Sequence, residues 1–386
     1  MISTWGTSTG YNQFLTFLLP LGDLGAGAVD TTPVGSAGSA TPTFTRATVA
    51  WTKLSTGLWA QVASGTARSC YLGATTAVGA YGGYFAEGAG TQLVTPTASI
   101  RDMTDGAWTA GATMTVAQDG AGIDGVANSC SRLTGGAVSA TNTIFQTLVA
   151  AASSRTYSVW LKRVTGAGVI NITQTGGTSY TDVTADINSS TFTRVSLTES
   201  DLNAAFGIQV VTSGDVILAD FNQFEAGAFA TSPIAAAGAA RNADSLSYAS
   251  AGNISTTIGS VYAEWTSGVN TVAAAAPIIS DSVQASYPLY VNNADKSGIY
   301  DGTNVVVYGV ATTLPATSVQ KSANSWSGTT LSAVSAGGTV ATGSFDGTMN
   351  MTALGIGTSG NLYGTIRNVR IYSSALTAAQ LQAMTS

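Results

Sequence analysis

The sequence predicts an all-β chain: two consecutive β-sandwiches behind an irregular, glycine-rich N-terminal region, closed by one short C-terminal helix. Three observations carry this. Large and small or polar residues alternate with a period of two over many short runs. Those runs are separated at near-regular spacing by Gly, Asn and Asp, the pattern of sandwiches rather than of α/β folds. No long stretch carries the 3.6-residue period of an amphipathic helix. At 386 residues the chain exceeds one typical domain, so more than one core is expected.

Composition narrows the function classes. Hydrophobic residues are 45% of the chain and charged residues only 9%, against roughly 25% charged in ordinary soluble proteins. Gly and Ser are abundant, yet Trp, Tyr, Val and Ile recur along nearly the whole length, which a disordered chain lacks. A surface of hydroxyls and methyls suits a subunit of a large assembly. The net charge is −6, and the 14 basic residues are scattered beyond the pair Lys162-Arg163. Nucleic acid and anionic membranes need clustered Lys and Arg, so neither is an expected partner.

Residues 1–43 read as an N-terminal arm and linker. Trp5, Tyr11, Phe14, Phe17 and Leu18 head an apolar cluster, followed by Gly, Ala, Ser, Thr and Pro from Gly22 to Pro42. The cluster is a candidate anchoring segment, docked on a neighbouring subunit or packed on its own domain. The stretch Phe14 to Leu21 contains Pro20 and lacks a preceding basic residue, unlike a signal peptide. No run approaches the ~20 apolar residues of a membrane span. An exposed destination is then reached by assembly or lysis.

Residues 44–95 read as a small extended β region for anchoring. Thr43 to Trp51 alternates, and Gly79 to Val94 is extended and glycine-rich; glycine within a strand marks a bulge or close backbone approach. Residues 96–234 carry strand after strand: Arg155 to Lys162 puts Tyr157, Val159 and Leu161 on one face, and Gly168 to Thr173, Phe192 to Leu197, Phe206 to Val211 and Asp215 to Phe221 follow. Residues 235–386 repeat the style through Gly259 to Trp265, Pro288 to Val291, Ser297 to Tyr300 and Asn304 to Tyr308, with Asp301-Gly302 as a hairpin turn. Thr377 and Gln380 fit a capping box. A helix from about Ala378 would set Leu381 and Met384 against the sandwich. Cys70 and Cys130 are two buried thiols or one bridge between domains.

The chain has no histidine, which removes Ser-His-Asp and Cys-His mechanisms, imidazole acid–base work and His-ligated metals. A two-carboxylate glycosidase stays chemically open. Glu264, on Tyr262-Ala-Glu-Trp265, is the one strand carboxylate to test, and it lacks a second Glu two residues away. Sugar binding needs an aromatic platform, and Tyr287, Tyr290, Tyr300, Tyr308 and Trp326 lie in or near loops of the second sandwich. Aromatics alternating on strands also build cores, the opposing reading. Asp281, Asp295 and Asp301 are the candidates for a calcium ion, without diagnostic spacing. No other cofactor is expected.

Two resemblances follow. The ending from Gly364 to Met384, a Tyr-Gly-x-Ile-x-x-Val-x-Ile-Tyr strand, then Ala-Leu-Thr and a Gln-Leu helix, resembles the end of laminin-G or concanavalin A-like jelly rolls, which are mostly sugar-binding or adhesive. Arg101 to Trp108, Asp124 to Asn128, Tyr157 to Lys162 and Phe224 to Ser232, in that order, are similar to the carbohydrate-binding-module-like jelly roll of bacteriophage fibre, head-spike and minor tail proteins. Phe44 to Thr48 and Glu87 to Val94 resemble the segments preceding it, although glycines replace the expected charges around Tyr81 to Thr91. The resemblance implies a non-enzymatic, homotrimeric decoration or head-fibre protein on the virion surface. Its partners would be the major capsid protein or other virion proteins, and host surface glycans. A receptor-binding tail protein gripping host glycans is the alternative, and a glycan hydrolase the distant third.

Overall fold

A computed structural model describes residues 15–19 and 43–386, apart from 55, 73–79, 96–98, 138–141, 235, 268–274, 284, 295, 309–318 and 359–361. The described residues are all-β with one C-terminal helix. Seven strands come first: β1 (Leu15–Leu19), β2 (Thr43–Thr45), β3 (Ala50–Lys53), β4 (Trp59–Val62), β5 (Ser69–Leu72), β6 (Ala80–Ala86) and β7 (Gly90–Thr91). A middle group runs through β8 (Thr109–Ala110), β9 (Thr115–Gly120), β10 (Cys130–Thr134), β11 (Thr143–Thr147) and β12 (Arg155–Thr165). It continues with β13 (Ile170–Thr173), β14 (Thr181–Asp182), β15 (Thr193–Glu199), β16 (Ala205–Val210) and β17 (Val216–Ala226). The last part holds β18 (Ala240–Arg241), β19 (Ser245–Ala249), β20 (Gly259–Trp265), β21 (Ala276–Asp281), β22 (Tyr287–Val291) and β23 (Ser297–Tyr300). It ends with β24 (Val305–Val307), β25 (Gln320–Ser327), β26 (Thr330–Ser335), β27 (Ala341–Ser344), β28 (Ala353–Ile356), β29 (Gly364–Tyr372) and α1 (Ala378–Thr385).

The middle sandwich packs sheet β15-β12-β17-β10-β9 on sheet β14-β13-β16-β11-β8. Alternation does what the sequence predicted: Tyr157, Val159 and Leu161 are all fully buried in one core with Phe206, Ile208 and Phe224. Each such side chain stabilises by about 1.5–3 kcal/mol. The Phe206 and Phe224 rings stack with centroids 4.3 Å apart. The second sandwich packs sheet β27-β26-β25-β20-β29-β6-β5 on sheet β2-β19-β28-β21-β22-β23-β24 around Trp265, Ile279, Leu289, Ile299 and Trp326. Helix α1 covers the outer face of the first of these sheets. Its capping box is formed by Thr377 and Gln380, and Leu381 and Met384 pack against Tyr262, Tyr308 and Tyr372.

Residues 44–95 are not a separate small region; their strands are shared between the two sandwiches. β2 extends β19, and β5 and β6 extend β29, so both sheets of the second sandwich borrow edges from this segment. Hairpin β3–β4 lies instead on the middle sandwich, with Trp51 edge-on to Phe221 and Trp59 against Trp160. β7 pairs with β18. The glycines allow this: Gly83 adopts φ +127°, and a Cβ there would stand 2.4 Å from the carbonyl oxygen of Ile366, so only glycine lets β6 close on β29.

Of the apolar arm, Trp5, Tyr11 and Phe14 lie outside the described residues. The backbone carrying Phe17 and Leu18 is a strand of the chain's own second sandwich, with Leu18 opposite Arg370 and Leu19 opposite Val369. β6 and β1 thus occupy successive halves of one side of β29. Cys130 is a free, buried thiol, so it forms no bridge. The described helix is too short to cross a membrane.

Candidate functional site

Along β22, Leu289 and Val291 enter the core, which sends Tyr290 to the outer face of the sheet. A register shift between Tyr287 and Tyr290 brings Tyr287 to the same face, opposite Tyr300 of β23. The three rings gather there: Tyr287 lies 5.6 Å from Tyr290 and 5.7 Å from Tyr300, both tilted. Gly298 supplies the flat seat, since an added Cβ would come within 3.0 Å of the Tyr290 ring. Tyr290 is buried, whereas Tyr287 and Tyr300 are half-exposed. The Tyr300 hydroxyl donates to the Gly302 carbonyl at 2.7 Å, fixing its ring to the Asp301-Gly302 turn. Burial, with Tyr287 nearby, pushes the Tyr290 phenol up to about 12, and burial, with Tyr300 nearby, raises Tyr287. Both keep their protons at neutral pH. Tyr287 and Tyr300, backed by the buried Tyr290 ring, therefore offer aromatic surface edged by hydroxyls, which matches the C–H face and hydroxyl rim of a pyranose.

The other two predicted aromatics are elsewhere. Trp326 is 1% exposed, its indole N–H donating to Ser255, and its ring fills the space left by Gly259 on the neighbouring strand. Tyr308 is buried beneath α1 with Tyr262 and Leu381. Neither ring is available to stack on a ligand. The sequence shows that these aromatics alternate, not which face of the strand is covered.

The carboxylates do not converge. Asp281 accepts from the backbone N–H groups of Val283, Thr352 and Ala353 and from the Thr352 hydroxyl at 2.6–3.1 Å. Asp301 accepts from Thr303 and Asn304 at 2.6–2.7 Å. Burial alone would raise both, but these donors hold both below the ordinary carboxylate value. Each works as a loop staple. Asp295 lies outside the described residues, and among those described no group of three metal-ligating side chains forms. Glu264 accepts from Arg367 at 2.7 Å and from the Tyr262 hydroxyl at 3.1 Å. Burial opposes ionisation there, yet Asn368, Arg367 and Tyr262 hold its pKa low. A paired, ionised carboxylate has no proton to give a leaving group.

A buried ionic cluster between the sandwiches escaped sequence reasoning. Arg68 bonds Glu87 at 3.0 Å and also Asp244, while Arg46 bonds Asp244 at 2.7 Å and Arg241 reaches Glu87 at 3.4 Å. Ser232, at the end of the middle sandwich, gives its hydroxyl and its N–H to Glu87. The five charged side chains are at most 2% exposed. Burial would raise Glu87, but Arg241, Arg68 and Ser232 hold it low. The Trp59–Trp160 pair was also missed, because its two members come from segments about 100 residues apart.

No family model matches the chain, and no curated protein matches it. Among solved structures it is similar to the CBM40 module of Ruminococcus gnavus IT-sialidase bound to α2,3-sialyllactose. Identity is 13% over 34% of this chain and 84% of that one, with a TM-score of 0.29. The same module bound to α2,6-sialyllactose gives 13%, 34%, 85% and 0.28. The N-terminal CBM22-1–CBM22-2 tandem of Paenibacillus barcinonensis Xyn10C gives 12% identity over 75% of this chain and 99% of that one, with a TM-score of 0.28. All are carbohydrate-binding modules, and overlaps this slight transfer no ligand or site.

Proposed function

We propose that the chain is a non-enzymatic virion structural protein, a capsid decoration or head-fibre subunit, that binds glycan through Tyr287 and Tyr300, backed by the buried Tyr290 ring. The observation that carries the binding reading is the set of three tyrosine rings on the outer face of the second sandwich. The virion part rests on the phage-like segment order and on a composition with only 9% charge. The absence of histidine and the pairing of Glu264 support a non-catalytic role.

Two experiments test it. On a glycan array, the full chain binds a restricted set of sugars. The double variant Tyr287→Ala/Tyr300→Ala loses about tenfold or more of that affinity, since aromatic contacts are worth about 0.5–1.5 kcal/mol each beyond area. Silence of the folded wild-type chain on the array would sink the binding reading. Cosedimentation with particles, and its oligomeric mass, test the virion reading: a stable monomer with no affinity for particles would sink that.

A further inference from the structure

Hairpin β3–β4 brings a second aromatic group to the middle sandwich. Along β12, Leu161 enters the core, so Trp160 and Lys162 stand on the outer face. Across that face Trp160 pairs with Arg194 of β15. On the hairpin, Lys53 and Trp59 are cross-strand partners, on the side that also lays Trp51 on Phe221. The two half-buried indoles meet edge-on with centroids 5.3 Å apart, and the Arg194 guanidinium sits 5.9 Å from the Trp160 ring. Arg194 is held from behind by the Thr231 carbonyl and the Ser158 hydroxyl. The Trp160 indole N–H and the Arg194 Nε–H are buried and find no acceptor among the described residues. Glu225 and Glu87 act on Arg194 electrostatically but spend their hydrogen bonds elsewhere, on Thr231 and Ser232, and Asp220 pairs with Arg101. Two tryptophans are therefore flanked by Lys53, Lys162 and Arg194, on a chain whose net charge is −6.

We propose that Trp59, Trp160, Arg194 and Lys162 form a second binding site, for a carboxylate-bearing glycan. Indole surface stacks on the sugar's C–H face and the Lys162 ammonium pairs with its carboxylate, while Arg194, its guanidinium engaged by Thr231 and Ser158, backs the Trp160 ring. The site is composite: β12 and β15 supply one wall, and residues 43–95 deliver the other. It lies on a different sandwich from the tyrosine group and stands or falls without it.

The test titrates the full-length protein with hexamers of galacturonic acid and of hyaluronan, and with a neutral glucose hexamer, by calorimetry and tryptophan fluorescence. An acidic hexamer is expected to bind with a change in tryptophan emission, more weakly as salt rises. Trp59→Ala is expected to lose about tenfold in affinity, with Trp59→Phe intermediate. Lys162→Gln, a substitution away from the core, weakens binding severalfold and flattens its salt dependence. Tyr287→Ala/Tyr300→Ala leaves all of this unchanged. The proposal is overturned if neither acidic hexamer binds, if the neutral hexamer binds equally with Lys162→Gln silent, or if only the tyrosine variant loses binding.

Discussion

Asp244→Asn probes what joins the two sandwiches. Asp244 accepts from Arg46 through one oxygen and from Arg68 through the other, and all three side chains are fully buried. The amide is nearly isosteric, so packing is kept and only charge is removed. Arg68 then retains Glu87, whereas Arg46 is left with neutral acceptors alone, the Thr48 and Ala63 carbonyls and the new amide oxygen. Leaving a buried charge without its counter-ion costs about 3–5 kcal/mol, out of a total of about 5–15 kcal/mol for a folded protein. At about 2 °C per kcal/mol for a chain this large, Tm falls by roughly 6–10 °C. The assay is urea unfolding followed by tryptophan fluorescence and by far-UV circular dichroism. Because the cluster gathers residues from both sandwiches, the variant's two probes are expected to separate into two transitions. A loss under about 1 kcal/mol with one unchanged transition would refute the view that the cluster couples them.

Four further outcomes follow from the same geometry. A chain starting at Pro96 lacks β2, β5 and β6 and is expected to aggregate or stay unfolded by circular dichroism; a folded second sandwich would contradict the shared-edge description. Trp326→Ala costs about 3–5 kcal/mol, while Tyr300→Ala costs about 1 kcal/mol for one lost hydrogen bond, both read from urea midpoints. Glu87 is held below its unfolded value, so its contribution is present above about pH 4.3 and is lost as pH falls through the lower folded value; buried Glu225 and Asp220 are raised and act in the opposite direction. Glu87→Gln should therefore flatten the acid limb of a pH–stability curve, and an unaltered limb would exclude Glu87 as its source. Burial pushes the Cys130 thiol up to about 12, so peptide mapping should find it unalkylated by iodoacetamide in the native protein and alkylated in urea.

What the sequence showed and what it hid divide along one physical line. The alternation from Arg155 to Lys162, the Asp301-Gly302 turn and the Thr377–Gln380 cap are local patterns, and each is realised in the fold, the first within a longer strand. Segment 44–95 was opaque because β2 and β6 find partners far along the chain at Ser245–Ser247 and Gly364–Ile366. The tyrosine group was legible as residues but not as a group, since the register shift in β22 decides that Tyr287 and Tyr290 share a face. Low charge was read as a property of the surface. Arg46, Arg68, Arg241, Glu87 and Asp244 show that part of this small complement is buried inside, and scattered single charges give no sign of that.

The pairing of Ala86 with Gly364 has a consequence for how the protein is made. β6 leaves the ribosome long before β29 and meets it only after the middle sandwich and most of the second have followed. Until then the sheet built on β20 lacks the strand that joins it to β6, and both strands expose open edges that other nascent chains can capture. The middle sandwich, whose ten strands lie between Thr109 and Ala226, can form first and hold hairpin β3–β4 in place while synthesis continues. Closure of the second sandwich therefore waits for β29 and is slowed by contacts of long sequence separation.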